Sequence, residues 1–326
     1  MPELPEVEVA ARNLRRWAMG RRIRAVSADP RGARILRPGS ARALGALAGA
    51  RFEDVRRRGK NLLVTLTNAK GEKVSRGRRR ALPAAAHRGR VREPSEGSQL
   101  IGLWSHLGMT GKWLHRRRGE ATPRFGRVRI DLDDGTSLHY ADLRLFGRFR
   151  IVPDARFQAL PDIEALGPDP LDDGIDVDRL QQRLARTRLP IKVAILDQTL
   201  LPGIGNIQAS EGLFRAGIDP RRPARSLSRA DLAKLARGLL DSIRYTLKTF
   251  KQSGADGADA DIDYVEERKS PNPFIVYGRA GAPCPRRVRG KRGGNVGNAG
   301  NAGNAGTIVR IVQAGRATFF CPRCQH

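Results

Sequence analysis

The chain has 326 residues, and 61 lysines and arginines stand against 33 aspartates and glutamates, leaving a formal charge of +28. No run of about 18 apolar residues occurs, which excludes a membrane-spanning helix, while 40% apolar content fills ordinary cores and argues against wholesale disorder. So large a cationic excess predicts a polyanionic partner, because every cation seated on a phosphate releases a condensed counterion.

The length allows two or three domains. The opening, MPELPEVEVA, is acidic and lacks the charged-then-apolar pattern of a secretion signal, so the cytoplasm is the expected compartment. Glu6 to Ala18, led in by Pro5, is expected to form the first helix. Up to about residue 157 the chain then reads as mostly β. Strand-like runs at Asn61–Leu66, Val128–Leu132, Ser137–Tyr140 and Arg148–Val152 are parted by turn signals such as Asp133-Asp134-Gly135. Short strands between such turns predict a sandwich or barrel, not a βαβ sheet. Residues 70–98, rich in Arg, Gly, Ala and Pro around Arg78-Arg79-Arg80, read as a disordered basic insertion.

From Asp176 to Phe250 the pattern turns helical. Short helices are expected over Pro190–Gln198 and Asn206–Ala216, joined by the tight turn Leu201-Pro202-Gly203-Ile204-Gly205. Ser228, with Asp231 three residues on, resembles a capping box ahead of Leu232, Leu235, Leu239, Ile243 and Leu247 at steps of three and four. A helix, a glycine turn and a second helix can clamp a DNA phosphate on free N–H groups near Asn206; the same pattern is equally an ordinary helical hairpin. Gly254–Asp261 is a small acidic link, and the Gly-Asn-Ala tract at 293–306 reads as a flexible loop tip. The expected class is α+β and multidomain, with an N-terminal β-sandwich behind an opening helix (1–157), a helical segment (158–262) and a terminal segment (263–326). The three cysteines, Cys284, Cys321 and Cys324, do not read as a secretory disulfide framework. No feature calls for an oligomer, and a monomer is expected.

The sharpest chemical signal is Pro2. Removal of Met1 would leave it a free secondary amine. An α-amine titrates near 7.7–8.0, well below lysine, so far more of it is neutral and nucleophilic at pH 7. Attack on an aldehyde-like sugar carbon would give an iminium, an electron sink that eases elimination of phosphate. Glu3 beside it could shuttle the proton to the opening ring. On these residues alone, a helix start with an early proline and a dipole-favoured glutamate is the commoner explanation.

The wider context changes that balance. MPELPEVE, Arg58-Gly59-Lys60-Asn61-Leu62-Leu63, His106-Leu107-Gly108-Met109-Thr110-Gly111, Asp142-Leu143-Arg144-Leu145-Phe146-Gly147, Gly203-Ile204-Gly205-Asn206-Ile207, Val276-Tyr277-Gly278-Arg279 and Gly315-Arg316-Ala317-Thr318-Phe319-Phe320-Cys321 follow one another in order. Together they resemble the formamidopyrimidine-DNA glycosylase family over nearly the whole length. The resemblance implies a helical domain of the helix–two-turns–helix kind, a zinc-finger-like terminal β-hairpin, and duplex DNA containing oxidised bases or abasic sites as the partner. It implies excision of oxidised purines followed by lyase cutting, in a bacterial cytoplasm at the nucleoid.

Carried over by residue, the resemblance makes Pro2 the Schiff-base nucleophile and Glu3 the proton donor and acceptor. Lys60 would contact the lesion-side phosphate, and Arg316 would clamp the same phosphates and help the δ-elimination. His106, Asn206 and Tyr277 would be phosphate contacts, and Met109, Arg144 and Phe146 would enter the duplex where the damaged nucleotide leaves. An apolar wedge and a planar guanidinium suit that task, since extruding a base costs a few kcal/mol of stacking that they can replace. By sequence alone Met109 and Phe146 fit plain core packing more readily, and Lys60, Arg144 and Arg316 fit a solvated surface.

The chain departs from the family pattern in three places. The family's usual zinc site has four cysteines, but Arg287 stands where the partner of Cys284 belongs, leaving Cys284, Cys321 and Cys324 for a metal that wants four ligands. A zinc-free hairpin of the same shape would draw its folding energy from packing, with Phe319 and Phe320 as candidates. The loop Pro123-Arg124-Phe125-Gly126-Arg127 lacks a usual histidine, and Gly254–Pro273 shows little likeness to the lesion-recognition segment, which leaves base preference open. Two rival readings stand beside the main one: the pyrimidine-directed sister enzyme, whose opening usually has glycine where Leu4 stands, and a non-catalytic damage-binding protein.

Overall fold

The computed structural model describes residues 2–36, 44–69, 98–252, 272–286 and 306–326. The Gly254–Asp261 link, Arg287, and the basic insertion and Gly-Asn-Ala tract except for Ser98 and Gly306 lie outside the described residues. The chain divides into two compact units. One holds Pro2 and Glu6–Glu164, the other Glu3–Pro5, Ala165–Gln252 and the described residues from 272 onward.

Helix α1 (Leu4–Ala18) gives the first unit Val7, Ala11, Leu14 and Ala18, all buried at helical spacing on one face. Eight antiparallel strands follow in two four-stranded sheets. The first, in the order β1-β6-β7-β5, is built from β1 (Ile23–Ala28), β5 (Lys112–Arg116), β6 (Gly126–Leu132) and β7 (Ser137–Ala141). The second runs β2-β3-β4-β8, from β2 (Arg51–Arg58), β3 (Asn61–Ala69), β4 (Ser98–His106) and β8 (Arg148–Pro153). Trp113 of β5 and Tyr140 of β7 lie 5.9 and 6.3 Å in ring centroid from Phe149 of β8, so the core sits where the two sheets face each other. The expected sandwich and its four expected strands are all present. Ser98 opens β4, paired with Ala69, instead of closing the insertion.

Four strands escaped the sequence reading. In β2 a bulge between Phe52 and Asp54 breaks the apolar alternation, and buried Arg57 occupies a position that reads as polar. Arg57 is tolerated there because its guanidinium donates to Glu8 of α1 at 3.0 Å and to the Gly59 carbonyl at 3.3 Å. The short helix α2 (Pro161–Glu164) ends this unit.

The second unit is helical. The carboxylate of Asp176 caps α3 (Val177–Leu184) by accepting the Asp178 and Arg179 N–H groups. The helix expected over Pro190–Gln198 is only the single turn α4 (Ile191–Ala194), because the chain folds over at Asp197, whose carboxylate accepts the Thr199 N–H at 2.9 Å. Next come α5 (Asn206–Ala216) and α6 (Arg229–Gln252). The capping box forms as read, with Asp231 N–H donating to Ser228 Oγ at 3.1 Å and Ser228 N–H to Asp231 Oδ2 at 3.3 Å. Leu232, Leu235, Leu239, Ile243 and Leu247 are all buried. The chain closes on the hairpin of β9 (Val309–Gln313) and β10 (Arg316–Phe320). Under it Phe214, Val276, Cys284, Ile308, Phe319 and Cys321 form one buried cluster. Among the described residues no helix is long and apolar enough to cross a membrane.

Candidate active site and DNA interface

Each unit presents part of the expected site. In the second, Glu3 is buried and its carboxylate closes the start of α5. Oε1 accepts the Ile207 N–H at 2.8 Å, and Oε2 accepts those of Gln208 at 2.9 Å and Gly205 at 3.1 Å. An anion here completes orphan donors and meets the positive end of the helix dipole. This corrects the sequence reading of the glycine turn, since the N–H groups expected to receive a DNA phosphate are taken by Glu3. The glycines exist to admit that contact. A Cβ on Gly205 would fall 2.4 Å from Glu3 Cδ, and one on Gly203, at φ +88°, 2.7 Å from Leu4 Cβ.

Asn206 begins α5, and its side chain bridges three elements. Its Oδ1 accepts from the Nζ of Lys192, while its Nδ2 donates to the Ala317 carbonyl at 2.8 Å and reaches the Tyr277 hydroxyl at 3.5 Å. Lys192 is a site residue that sequence reading missed. It is fully buried on α4, and burial, followed by the field of Arg316, lowers its pKa from 10.5 to about 8, with Glu3 opposing. Its only sequence signal was one cation inside the apolar run Ile191-Lys192-Val193-Ala194-Ile195. Tyr277 packs edge-on against Phe319 at 5.0 Å, and its loop is held by buried Glu211, which accepts the N–H groups of Ile275, Val276 and Tyr277. Arg316 is exposed at the start of β10, just past the two-residue turn Ala314-Gly315, both at positive φ.

In the first unit Pro2 is buried. Lys60 sits half-buried at the tip of the β2–β3 hairpin, beside Gly59 at φ +56°. His106 ends β4, and burial, then the cations Lys60 and Arg148, lowers its pKa from 6.5 to about 4. Its Nδ1 accepts the Gly108 N–H at 3.0 Å, which leaves the neutral ring's proton on Nε2, free in chemical terms to donate to an oxygen. Met109 is half-buried, whereas Arg144 and Phe146 stand exposed, Phe146 by 53%, with the guanidinium 5.2 Å from the ring centre. Phe146 is therefore no core residue.

The three cysteines meet in the second unit with their sulfur atoms within 4.8 Å of one another, Cys284 and Cys324 at 3.5 Å. Tetrahedral zinc with bonds of about 2.3 Å holds sulfurs roughly 3.8 Å apart, so the three thiols fit a structural zinc site. Among the described residues no fourth ligand joins the group, and His326 is not part of it. Phe319 and Phe320 are both buried beside this site, as packing support requires.

A β-sandwich, a glycine-turn helical module and a cysteine-braced cationic hairpin define a multidomain protein that binds nucleic acid. Comparison with known proteins narrows this. Family models described as the formamidopyrimidine-DNA glycosylase N-terminal domain, its H2TH domain, and the zinc finger found in FPG and IleRS match residues 1–149, 166–256 and 306–326. The formamidopyrimidine-DNA glycosylases of Desulfitobacterium hafniense and Paracoccus denitrificans are 34% and 33% identical, each aligned over the whole of both chains. Among solved structures, Lactococcus lactis Fpg bound to DNA with an abasic site has a TM-score of 0.73 at 25% identity, covering 99% of each chain. MutM (Fpg) from Thermus thermophilus has a TM-score of 0.67 at 31% identity, covering 99% of this chain and 98% of that one. The chain belongs to the formamidopyrimidine-DNA glycosylase family.

Proposed function

We propose that this enzyme excises oxidised purines, 8-oxoguanine and formamidopyrimidines, from duplex DNA and then cuts the strand through a Schiff base on Pro2. The observation that carries the reading is the anchoring of Glu3. Three backbone donors fix the residue next to the nucleophile, beside buried Lys192 and its half-buried partner Asn206.

The neutral Pro2 amine attacks C1′ of the lesion nucleotide, and the glycosidic electron pair leaves with the base. The Glu3 carboxylate accepts the proton that the amine loses as the N–C1′ bond forms and passes it to the sugar oxygen as the ring opens. The iminium then accepts the electrons released when Glu3, a carboxylate again, takes the C2′ proton, and the 3′ phosphate leaves with the C3′–O electron pair. A second elimination expels the 5′ phosphate and leaves a one-nucleoside gap. Lys60 and Arg316 neutralise the phosphates on which that charge collects. His106, Asn206 and Tyr277 contact the backbone, while Met109, Arg144 and Phe146 fill the space of the extruded base. In this division the sandwich (1–157) carries the chemistry, the helical segment (158–262) grips DNA, and the terminal segment (263–326) clamps it. Zinc, held by Cys284, Cys321 and Cys324, would brace the hairpin that carries Arg316, and the residues above carry the reaction themselves. The enzyme would work in the bacterial cytoplasm on chromosomal DNA.

Solved relatives include MutM with a carbocyclic 8-oxo-G in DNA and Lactococcus lactis Fpg with an oxidised pyrimidine in DNA, so the test carries both lesions. Borohydride should trap the chain covalently on an 8-oxoguanine duplex, and peptide mass analysis should place the adduct on the Pro2 nitrogen. Trapping only on the oxidised pyrimidine would reassign the substrate, and no trapping on either would end the lyase reading.

A further inference from the structure

The loop that carries Met109 and the loop that carries Arg144 and Phe146 are far apart in sequence, yet one carboxylate ties them together. Asp142 is fully buried. Its Oδ1 accepts the Thr110 hydroxyl at 2.6 Å and the Arg144 N–H at 3.1 Å, and its Oδ2 accepts the Gly147 N–H at 2.8 Å. The Thr110 oxygen accepts the same Arg144 N–H at 3.0 Å, so this hydroxyl both donates and accepts across the loops. The backbones touch directly as well. A Cβ on Gly108 would fall 2.4 Å from the Phe146 carbonyl carbon, and Cβ atoms on Gly111 and Gly147 would both strike the Tyr140 hydroxyl, at 2.1 and 1.9 Å. Leu145 between Arg144 and Phe146 is held at φ +57°, a conformation a leucine adopts only under constraint.

We infer that Thr110 and Asp142 are positioning residues that clasp the two loops into one rigid wedge, so that Met109, Arg144 and Phe146 enter the duplex together. The inference rests on the function proposed above. Extruding a paired base costs a few kcal/mol, and that cost is recovered only if the replacing groups arrive already placed. Two separately mobile loops would have to be ordered during extrusion. A hydroxyl donating to a buried carboxylate is the strongest single link between them.

The test is Thr110→Val, which keeps the shape and removes both hydrogen bonds, with Thr110→Ser as the conservative partner. Single-turnover excision of 8-oxoguanine opposite cytosine should slow by about ten- to a hundredfold in Thr110→Val, the loss of one charge-assisted hydrogen bond. Cleavage at a pre-formed abasic site, where there is no base to unstack, should stay within about twofold of the unmodified chain, and duplex binding should change little. Thr110→Ser should recover most of the excision rate. Equal losses on the two substrates, or unchanged excision in Thr110→Val, would overturn the clasp while the function stood. Failure of the unmodified chain to excise the lesion would overturn the function, and the clasp with it.

Discussion

Gly205→Ala tests the geometry on which the site depends. Gly205 has φ −127°, ordinary extended backbone, so alanine introduces no conformational strain there. Its methyl would fall 2.4 Å from both Cδ and Oε1 of Glu3 and 2.7 Å from Cγ, so the carboxylate must leave its seat. It then gives up the three amide donors, held at 2.8, 2.9 and 3.1 Å. Charge-assisted hydrogen bonds of this kind are worth about 1.5–3 kcal/mol each and do not add fully, so a net loss of about 2–4 kcal/mol in placement is expected. At about 1.4 kcal/mol per decade this is about a 30- to 1000-fold fall in single-turnover excision. The decisive measurement is a double-mutant cycle. In a Glu3→Ala background nothing remains for the new methyl to displace, and Gly205→Ala should cost little further rate. A wild-type rate in Gly205→Ala, or an equal penalty with and without the Glu3 carboxylate, would refute the reasoning.

Glu8→Ala removes the carboxylate 3.0 Å from Arg57, whose side chain is 1% exposed, and urea denaturation should show a loss of about 1.5–3 kcal/mol. Lys192 is protonated in the unfolded chain up to pH 10.5 but in the folded one only to about 8, so the folded state binds fewer protons between those values. Stability relative to Lys192→Met should therefore rise with pH across that window, and a fall would contradict the burial of the ammonium. Arg316→Gln should lower the slope of log affinity against log salt by about one ion, whereas His106→Gln, a neutral donor replacing a neutral imidazole, should leave the slope unchanged. Zinc should be found by elemental analysis, and Cys321→Ala should lose it together with some thermal stability, because the hairpin over Phe319 then stands on packing alone.

The sequence alone determined the sandwich with its opening helix, the long capped helix from Ser228, and the candidate residues, since apolar periodicity, turn residues and ordered motifs are local records. It also showed that one zinc ligand is missing, because ligand spacing is countable. Tertiary structure decided what local patterns cannot carry. Strand β2 hides behind a bulge and a buried arginine whose partner lies 49 positions earlier. The glycine turn reads equally as a phosphate clamp or an ordinary hairpin until Glu3, some 200 residues away, is seen to fill it. Lys192 looks like any of the 61 cations until its burial sets it against Asn206 and Arg316. Each of these depends on which distant group removes water from a charge or supplies its partner, and sequence distance says nothing about that.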